Sequence, residues 1–455
     1  MTEKKSLGLD FTQGPILPLL IRYCIPFLLA NILNSLYNTV DTIVIGQFVG
    51  GVGIVAVNMG GKTLNMFSMV GSALAGGGQT LIAQLTGAKR KEDINSTIGT
   101  LLTSLLILSV ATALILILLA GNILRILNTP EESFQGALYY LVITSAGIPL
   151  MFGYNAISAV LRGMGDSKSP LLFIGIAAVF NLIGDIIFIV VFHMGAVGTA
   201  IATVMGQGIS LIFSIVYLIR RKERFGFDFR LRSFRIDLIK LKIILKIGLP
   251  MALRGLFITG AQLFMMRFIN AYGVAQAAAY SIGDKVYHLS NIFVMAVSQG
   301  NAAIIAQNIG ADKRERVSMS MRATFGIAMS MAALLAAISL LLPKQVFSLF
   351  TSEADVLAFA RPIMAVTAFI YFTCALLATY DGVVSGTGAS ILSFLGGFLD
   401  GVVFRICFGF LFGWGFGLGV VGFFMGEALA RFGPVSVGMI CYHSGAWLRK
   451  KKLLE

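Results

Sequence analysis

The sequence predicts an all-α integral membrane protein: twelve transmembrane helices arranged as two six-helix repeats. Three observations carry that expectation. The composition is too apolar for a water-soluble core, the apolar runs number twelve, and short motifs recur at a nearly fixed offset. Of 455 residues, 57% are hydrophobic and only 12% charged, about half the charged fraction of an ordinary soluble domain. Mean hydropathy is +0.87. No core in a chain of this size absorbs so much apolar side chain, so the solvent for most of it is lipid. The opening stretch, MTEKKSLGLDFTQGP, lacks a short apolar core followed by a small-residue cleavage site. It is therefore expected to be a cytoplasmic tail rather than a removable signal.

A spanning helix needs about 20 apolar residues. Runs that meet this begin near residues 16, 52, 95, 134, 169, 197, 243, 276, 318, 355, 391 and 418. A long basic connector divides them six and six. The expected organisation is an N-terminal lobe over 1–222, a cytoplasmic basic linker over 223–245 and a C-terminal lobe over 246–455.

The formal net charge of +14 invites a nucleic-acid reading, which the distribution of charge excludes. Of the 35 lysines and arginines, 26 fall in six segments: up to Arg22, Lys89 to Lys91, Arg162 to Lys168, Arg220 to Lys246, Lys313 to Arg322, and Arg449 to Lys452. Every second loop is basic, which is the positive-inside pattern. It predicts a multi-pass protein of the cytoplasmic (inner) membrane with both termini in the cytoplasm. Cys24, Cys374, Cys407 and Cys441 show no metal-ligand spacing and are expected to pack as small hydrophobes.

The two halves repeat. LIAQLTGAKR at Leu81 returns as IIAQNIGADKR at Ile304, and IPFLLANIL at Ile25 returns as LPMALRGLF at Leu249. LRGMGDS at Leu161 returns as VSGTGAS at Val384, and LNTPEE at Leu127 as LFTSEA at Leu349. The offset stays between 222 and 224 across all four. Each copy holds an even number of spans, so both insert the same way up. The lobes are then expected to be related by a pseudo-two-fold axis along the membrane normal, enclosing a cleft. Small-residue runs such as GSALAGGGQT (Gly71 to Thr80) let helices approach closely.

Ionisable side chains inside spans mark function by default. Those singled out are Asp41, Lys62, Asp185, Asp284, Lys285, Asp381, Asp400, Arg405 and Glu427. Asp41 stands about 22 Å along the helix from Pro26. Asn34, Tyr37 and Asp41 share a face by their spacing of three and four, which assigns them to the cleft. In the fifth span Asn181 and Asp185 are likewise four apart, and Thr203 of the sixth completes a polar cluster. Two carboxylates, an amide oxygen and a hydroxyl are hard donors suited to Na⁺. The same carboxylates, desolvated side by side, hold a proton equally well. The competing structural reading is that Asp41 and Asp185 only tie helices together by hydrogen bonds. The duplication weighs against it. At the offset of 224 set by Pro26 and Pro250, Asp41 matches Met265, and near the match of Asp185 stands Arg405. The scaffold is shared but the acids are not, so cation chemistry is expected in the first half. Lys62 and Lys285 match across the copies and serve either helix pairing or substrate. Asp381, Asp400, Arg405 and Glu427 suggest a salt-bridged network, with Asp381 and Glu427 near the cytoplasmic surface as the alternative. His288 is a candidate proton carrier. Pro26 and Pro250 are expected to bend their helices.

Taken together, the chain resembles the multidrug and toxic compound extrusion (MATE) family. The resemblance rests on IPFLLANILNSLYNTVDTIVIGQFVG in the first span, LIAQLTGAKR after the second, LRGMGDSKSP after the fourth and the Asn181/Asp185 pair. It implies two six-helix lobes forming a V, alternating access, and export of drug-like, often cationic compounds against entry of H⁺ or Na⁺. Carried onto this sequence, it implies a cation-coupling site of Asp41, Asn181, Asp185 and Thr203, with the same four as Na⁺ ligands. It also implies a substrate cleft including Asn34, Tyr37, Asp41 and Asn181, and a bending proline at Pro26. One branch of the family carries acids in spans seven and ten. Here those places hold Thr259 or Gly260, and Cys374, which favours a DinF-like branch coupled through the first lobe.

The function expected is thus a cation-coupled antiporter exporting amphipathic or cationic small molecules. It is expected to work as a monomer in the bilayer, with no cofactor beyond the coupling ion and no nucleic-acid partner. The runner-up is a flippase for a lipid-linked oligosaccharide, to which Lys62, Lys285 and Arg405 lend support and against which the first-lobe acids weigh. An enzyme is not expected. Nothing resembles a metal site, a Ser/His/Asp grouping or a phosphate loop, and Ala75-Gly76-Gly77-Gly78 has no following Lys-Ser or Lys-Thr.

Overall fold

Glycine and one-residue turns with left-handed backbone punctuate a chain that is otherwise long helices. The structure, a computed structural model, describes residues 8–222, 227–448 and 453, with all side chains except those of Tyr37, Asn38, Thr42, Leu231 and Leu289. The start of the expected linker, 223–226, therefore lies outside the described residues. The first repeat holds α1 (Ile16–Val49), α2 (Gly51–Gly87), α3 (Lys91–Ile126), α4 (Glu131–Ala146), α5 (Ile148–Gly163), α6 (Lys168–Asp185) and α7 (Gly195–Arg220). The second holds α8 (Leu238–Asn270), α9 (Val274–Gly310), α10 (Arg314–Leu341), α11 (Ala360–Gly386), α12 (Ser390–Phe398), α13 (Arg405–Phe410), α14 (Gly419–Ala430) and α15 (Phe432–His443). No strand occurs among the described residues.

Nine helices among the described residues are long and apolar enough to cross a membrane, or ten when α4 and α5, bent by 46°, count as one span. The helices α2 and α8, of 37 and 33 residues, are long but are not among these. Apolar side chains face outward along the spans, Leu118 and Ile126 being nearly four-fifths exposed. That arrangement is unfavourable in water and is the expected one in lipid.

The duplication is written into the backbone. Gly50 and Gly273 turn the chain between the first two helices of each repeat with φ of 79° and 101°. Gly165 and Gly388 have φ of 86° and 65°, and even the non-glycine pair Lys89 and Asp312 agree, at 57° and 58°. Each pair is separated by the offset of the sequence repeat. The helical irregularities follow suit: the span of α6 ends in a π-helical stretch at Ile186–Val191, and that of α13 in one at Leu411–Gly415. The second repeat adds another, Leu399–Phe404, carrying Asp400.

The chain forms two compact units, one built on Ile25–Leu249, the other on Phe11–Cys24 with Pro250–Glu455. Both divisions fall inside a helix, one residue before Pro26 and at Pro250. In the first unit a methyl group on Gly77 of α2 would lie 2.7 Å from the Ile244 carbonyl oxygen of α8. In the second, a methyl on Gly300 of α9 would lie 2.5 Å from Cys24 Sγ and 3.0 Å from Leu20 of α1. Gly77 and Gly300 are repeat mates, as are Ile244 and Leu20. The same contact is thus made twice, each time with the first turns of the other repeat's leading helix. In the second unit the segment before α1 is pinned as well. Asn308 Nδ2 and Arg316 donate to the Phe11 carbonyl at 3.1 and 2.9 Å, and the Phe11 ring meets Tyr23 edge-on at 5.3 Å.

The described part of the basic connector is docked in the first unit. Its turn at Leu231–Phe234 lies on α3, where Thr103 donates to the Phe234 carbonyl at 2.8 Å. Buried Lys240 then bridges Asp93 and Asp237 at 3.2 and 3.1 Å.

Candidate cation and substrate site

Small residues bring α6 and α7 together. A methyl on Gly184 would lie 3.0 Å from the Ala202 methyl, and one on Gly206 would lie 3.2 Å from the Ala177 carbonyl and 3.3 Å from Asn181 Cβ. Close approach of this kind is what glycine and alanine permit between membrane helices. It sets Asn181 and Asp185, one turn apart on α6, against Thr203 on α7. Asp185 is also the last residue before the π-helical stretch, a kind of irregularity frequent at functional sites.

Asp41, from α1, meets this cluster: its carboxyl lies beside that of Asp185. Both are buried, Asp41 at 6% exposure and Asp185 at none. Asp41 Oδ1, both carboxylate oxygens of Asp185 and Asn181 Nδ2 have no hydrogen-bond partner, and neither acid has an ion pair with Lys, Arg or His among the described residues. Tyr140 of α4 brings its phenol near Thr203 and both carboxyls, and its ring packs on Gly60 of α2. Tyr140 escaped the sequence reading because a tyrosine in an apolar run carries no distinguishing pattern.

Next to the acids the first unit holds a cavity of about 310 Å³. Its polar wall is made of neutral groups, among them Asn34, Asn65, Asn155, Asn181, Thr203 and Gln207, and among the described residues no charged side chain lines it. Asn181, one helical turn before Asp185, and Thr203 both line this cavity. Asn34 stands in the wall as its helical face suggested. The side chain of Tyr37 lies outside the described residues. Pro26 is buried inside α1, where the helix passes from one compact unit into the other.

Among the described residues the second unit has no such acid pair. Met265, the repeat mate of Asp41, is a core residue packed with Ile269, Tyr280 and Phe423, and its methyl lies over Gly409. Asp400, Arg405 and Glu427 form a buried salt-bridged network, from which Asp381 stands apart. Arg405 donates to Asp400 Oδ1 and Glu427 Oε1, both at 2.8 Å. Glu427 also accepts from Tyr280 at 2.9 Å and Gln262 at 3.2 Å, with Arg431 3.6 Å away. Arg254 pairs with Asp381. Arg254 and Arg431 were absent from the intramembrane residues the sequence singled out, although Arg431 stands one helical turn after Glu427 and Arg254 sits inside LPMALRGLF. His288 is exposed, with Nε2 3.5 Å from Asp284. Lys62 and Lys285 are both exposed.

A chain of membrane helices built from two copies of one repeat, each with a polar cavity, has the architecture of secondary transporters. This chain belongs to the MatE family, whose model matches it twice, over residues 26–187 and 250–411, once per repeat. It is 30% identical over 389 residues to the probable multidrug resistance protein YpnP of Bacillus subtilis, covering 84% of this chain and 85% of that one. It is 29% identical over 356 residues to the probable multidrug resistance protein YoeA of the same organism, covering 77% and 76%. Among solved structures, an outward-facing multidrug resistance MATE family transporter of the MOP superfamily matches with a TM-score of 0.90 at 22% identity, over 99% of this chain and all of that one. That last likeness concerns the fold.

Proposed function

We propose that the chain is a cation-coupled antiporter that exports drug-like, amphipathic or cationic small molecules by alternating access. It would act as a monomer in the cytoplasmic membrane, with both termini in the cytoplasm. The observation that carries this reading is the Asp41–Asp185 pair. Two adjacent carboxyls are buried where three of their oxygens have no partner. A bare charge in this setting costs several kcal/mol, so the pair calls for a cation, H⁺ or Na⁺. Asp41 and Asp185 offer three hard oxygens without partners, and the Asn181 amide oxygen and Thr203 hydroxyl oxygen are donors of the same hard class. The names of the relatives support the export half of the reading.

Coupling follows from the shared residues. Asn181 and Thr203 would turn toward the acids when the cation is held and toward substrate when it has left. Cation and drug then compete for the same two side chains, and each drives the other out. The uncharged amide wall of the cavity suits a lipophilic cation better than the pyrophosphate of a lipid-linked oligosaccharide, which weighs against the flippase reading. The test is Asp41→Asn in proteoliposomes. Gradient-driven efflux of a cationic dye falls to background while dye binding and protein yield stay near wild type. Retained driven efflux would refute the coupling role.

A further inference from the structure

In the first unit, α1 and α6 present opposite chemistries on the two sides of the seam between them. On one side is the amide cavity of about 310 Å³, to which α1 gives Asn34 and α6 gives Ile174, Ala177, Ala178 and Asn181. On the other is an open groove of about 590 Å³. Leu29, Ile32 and Leu33 of α1 and Leu172, Gly175 and Val179 of α6 help to line it, and no polar side chain does so among the described residues. The two linings alternate along the chain. Leu33 belongs to the groove and Asn34 to the cavity, Gly175 to the groove and Ile174 to the cavity. The partition is thinnest at Gly175, where α6 has no side chain. A methyl added there would meet Leu33 Cδ1 of α1 at 3.9 Å, an ordinary contact.

Both helices belong to stretches apolar enough to cross a membrane. In the groove Leu29, Leu172 and Val179 are 45%, 60% and 57% exposed, so it opens on hydrocarbon. Its α6 residues lie within about 18 Å of Lys168 along the helix, which the topology proposed above puts in the cytoplasmic leaflet. The α1 side begins three residues after Pro26, which cannot donate to the carbonyl of residue 22, so α1 yields here more readily than an unbroken helix.

Size and polarity then select the ligand. The amide cavity is at the small end of the ~300–1,000 Å³ typical of sites for drug-sized molecules. It has room for a polar head group. A long alkyl chain drawn in beside the head would cover the amides and leave them without hydrogen-bond partners, which is unfavourable in a dry site. A tail left in lipid, which is as apolar as the groove, incurs no such penalty.

We infer that the seam between α1 and α6 is a lateral port for long-chain cationic amphiphiles. The head group sits in the amide cavity, while the tail passes between Leu33 and Gly175 and stays in the groove. The occupant is the tail of a substrate rather than a bulk lipid chain. The inference rests on the reading of the amide cavity as the substrate site, but not on how the cation is coupled.

The test uses the full chain in phosphatidylcholine proteoliposomes and dodecyltrimethylammonium carrying a diazirine near the end of its chain. After photolysis, labelled residues are mapped by mass spectrometry. Labelling of 29–33 and 171–180 is expected to exceed that of the outward face of α3 at Leu106, Leu114 and Leu118, which are 54%, 56% and 78% exposed. Excess unlabelled dodecyltrimethylammonium should remove the difference, and a diazirine-bearing phosphatidylcholine should label both faces alike. Gly175→Leu, which fills the partition, should bring groove labelling down to the level of α3. Gly175→Ala, whose methyl has room, should retain it, and so should Asp41→Asn, because labelling needs no gradient. In efflux assays Gly175→Leu should raise the KM of a dodecylammonium dye at least about fivefold, the lower end of what overpacking costs. The KM of the butyl analogue should not move. Even labelling of the two faces, groove labelling that survives in Gly175→Leu, or equal KM changes for the two dyes would overturn the port. If the wild type exports neither dye, the substrate reading itself fails and the port with it. If it exports both and Gly175→Leu changes neither KM, the port alone fails.

Discussion

Asp41 and Met265 occupy the same place in two copies of one scaffold, and their surroundings differ as their chemistry requires. Met265 is packed into an apolar cluster, while Asp41 lies against a second carboxyl with an oxygen unsatisfied. Asn181 and Gln207 make a sharper comparison, because both line the same cavity and only Asn181 also adjoins the acids. Gln207→Leu should raise the KM for a dye severalfold and leave the gradient dependence of efflux unchanged. Asn181→Leu should alter both, and efflux rates measured against dye concentration at two gradient strengths separate the cases. At this scale the sequence was legible where polarity broke an apolar pattern at helical spacing, as in Asn34, Asp41, Asn181, Asp185 and Thr203. It was illegible where partners come from distant helices. Spacing alone does not join Gln262 and Tyr280 to Glu427, which lies 165 and 147 residues away, or Tyr140 to Thr203.

Among helices, the recurring device is close approach through glycine. Gly77 and Gly300 sit in small-residue stretches that the sequence marked as packing surfaces, but it gave no sign of which helix each would meet. Each receives the initial turns of the leading helix of the opposite repeat, up to the proline. Gly77→Leu and Gly300→Leu should each overpack this contact, at a cost of about 1–3 kcal/mol. The expected reading is a lowered thermal midpoint and poorer yield for both, by similar amounts. A large loss from one and none from the other would contradict the equivalence of the two contacts. The helix starts were legible to within five residues, because loops here are short and rich in glycine and charge. The π-helical stretches at Ile186–Val191 and Leu399–Phe404 were not, since a single extra residue per turn leaves an apolar run looking like any other.

Across the whole molecule the two repeats share backbone turns, glycine contacts and irregular helix ends, yet they have diverged in their polar interiors. The first holds an acid pair beside a neutral amide cavity, the second a charge-balanced arginine network beside a charged one. A duplicated scaffold allows such divergence. We propose that Asp41 and Asp185 bind the cation whose entry drives export. The most direct measurement is efflux of a cationic dye from proteoliposomes under separately imposed pH and Na⁺ gradients, for the wild-type chain and for Asp41→Asn. One of the two gradients is expected to drive efflux in the wild type and neither in the variant. Efflux driven equally well in the variant, or unaffected by both gradients in the wild type, would contradict it.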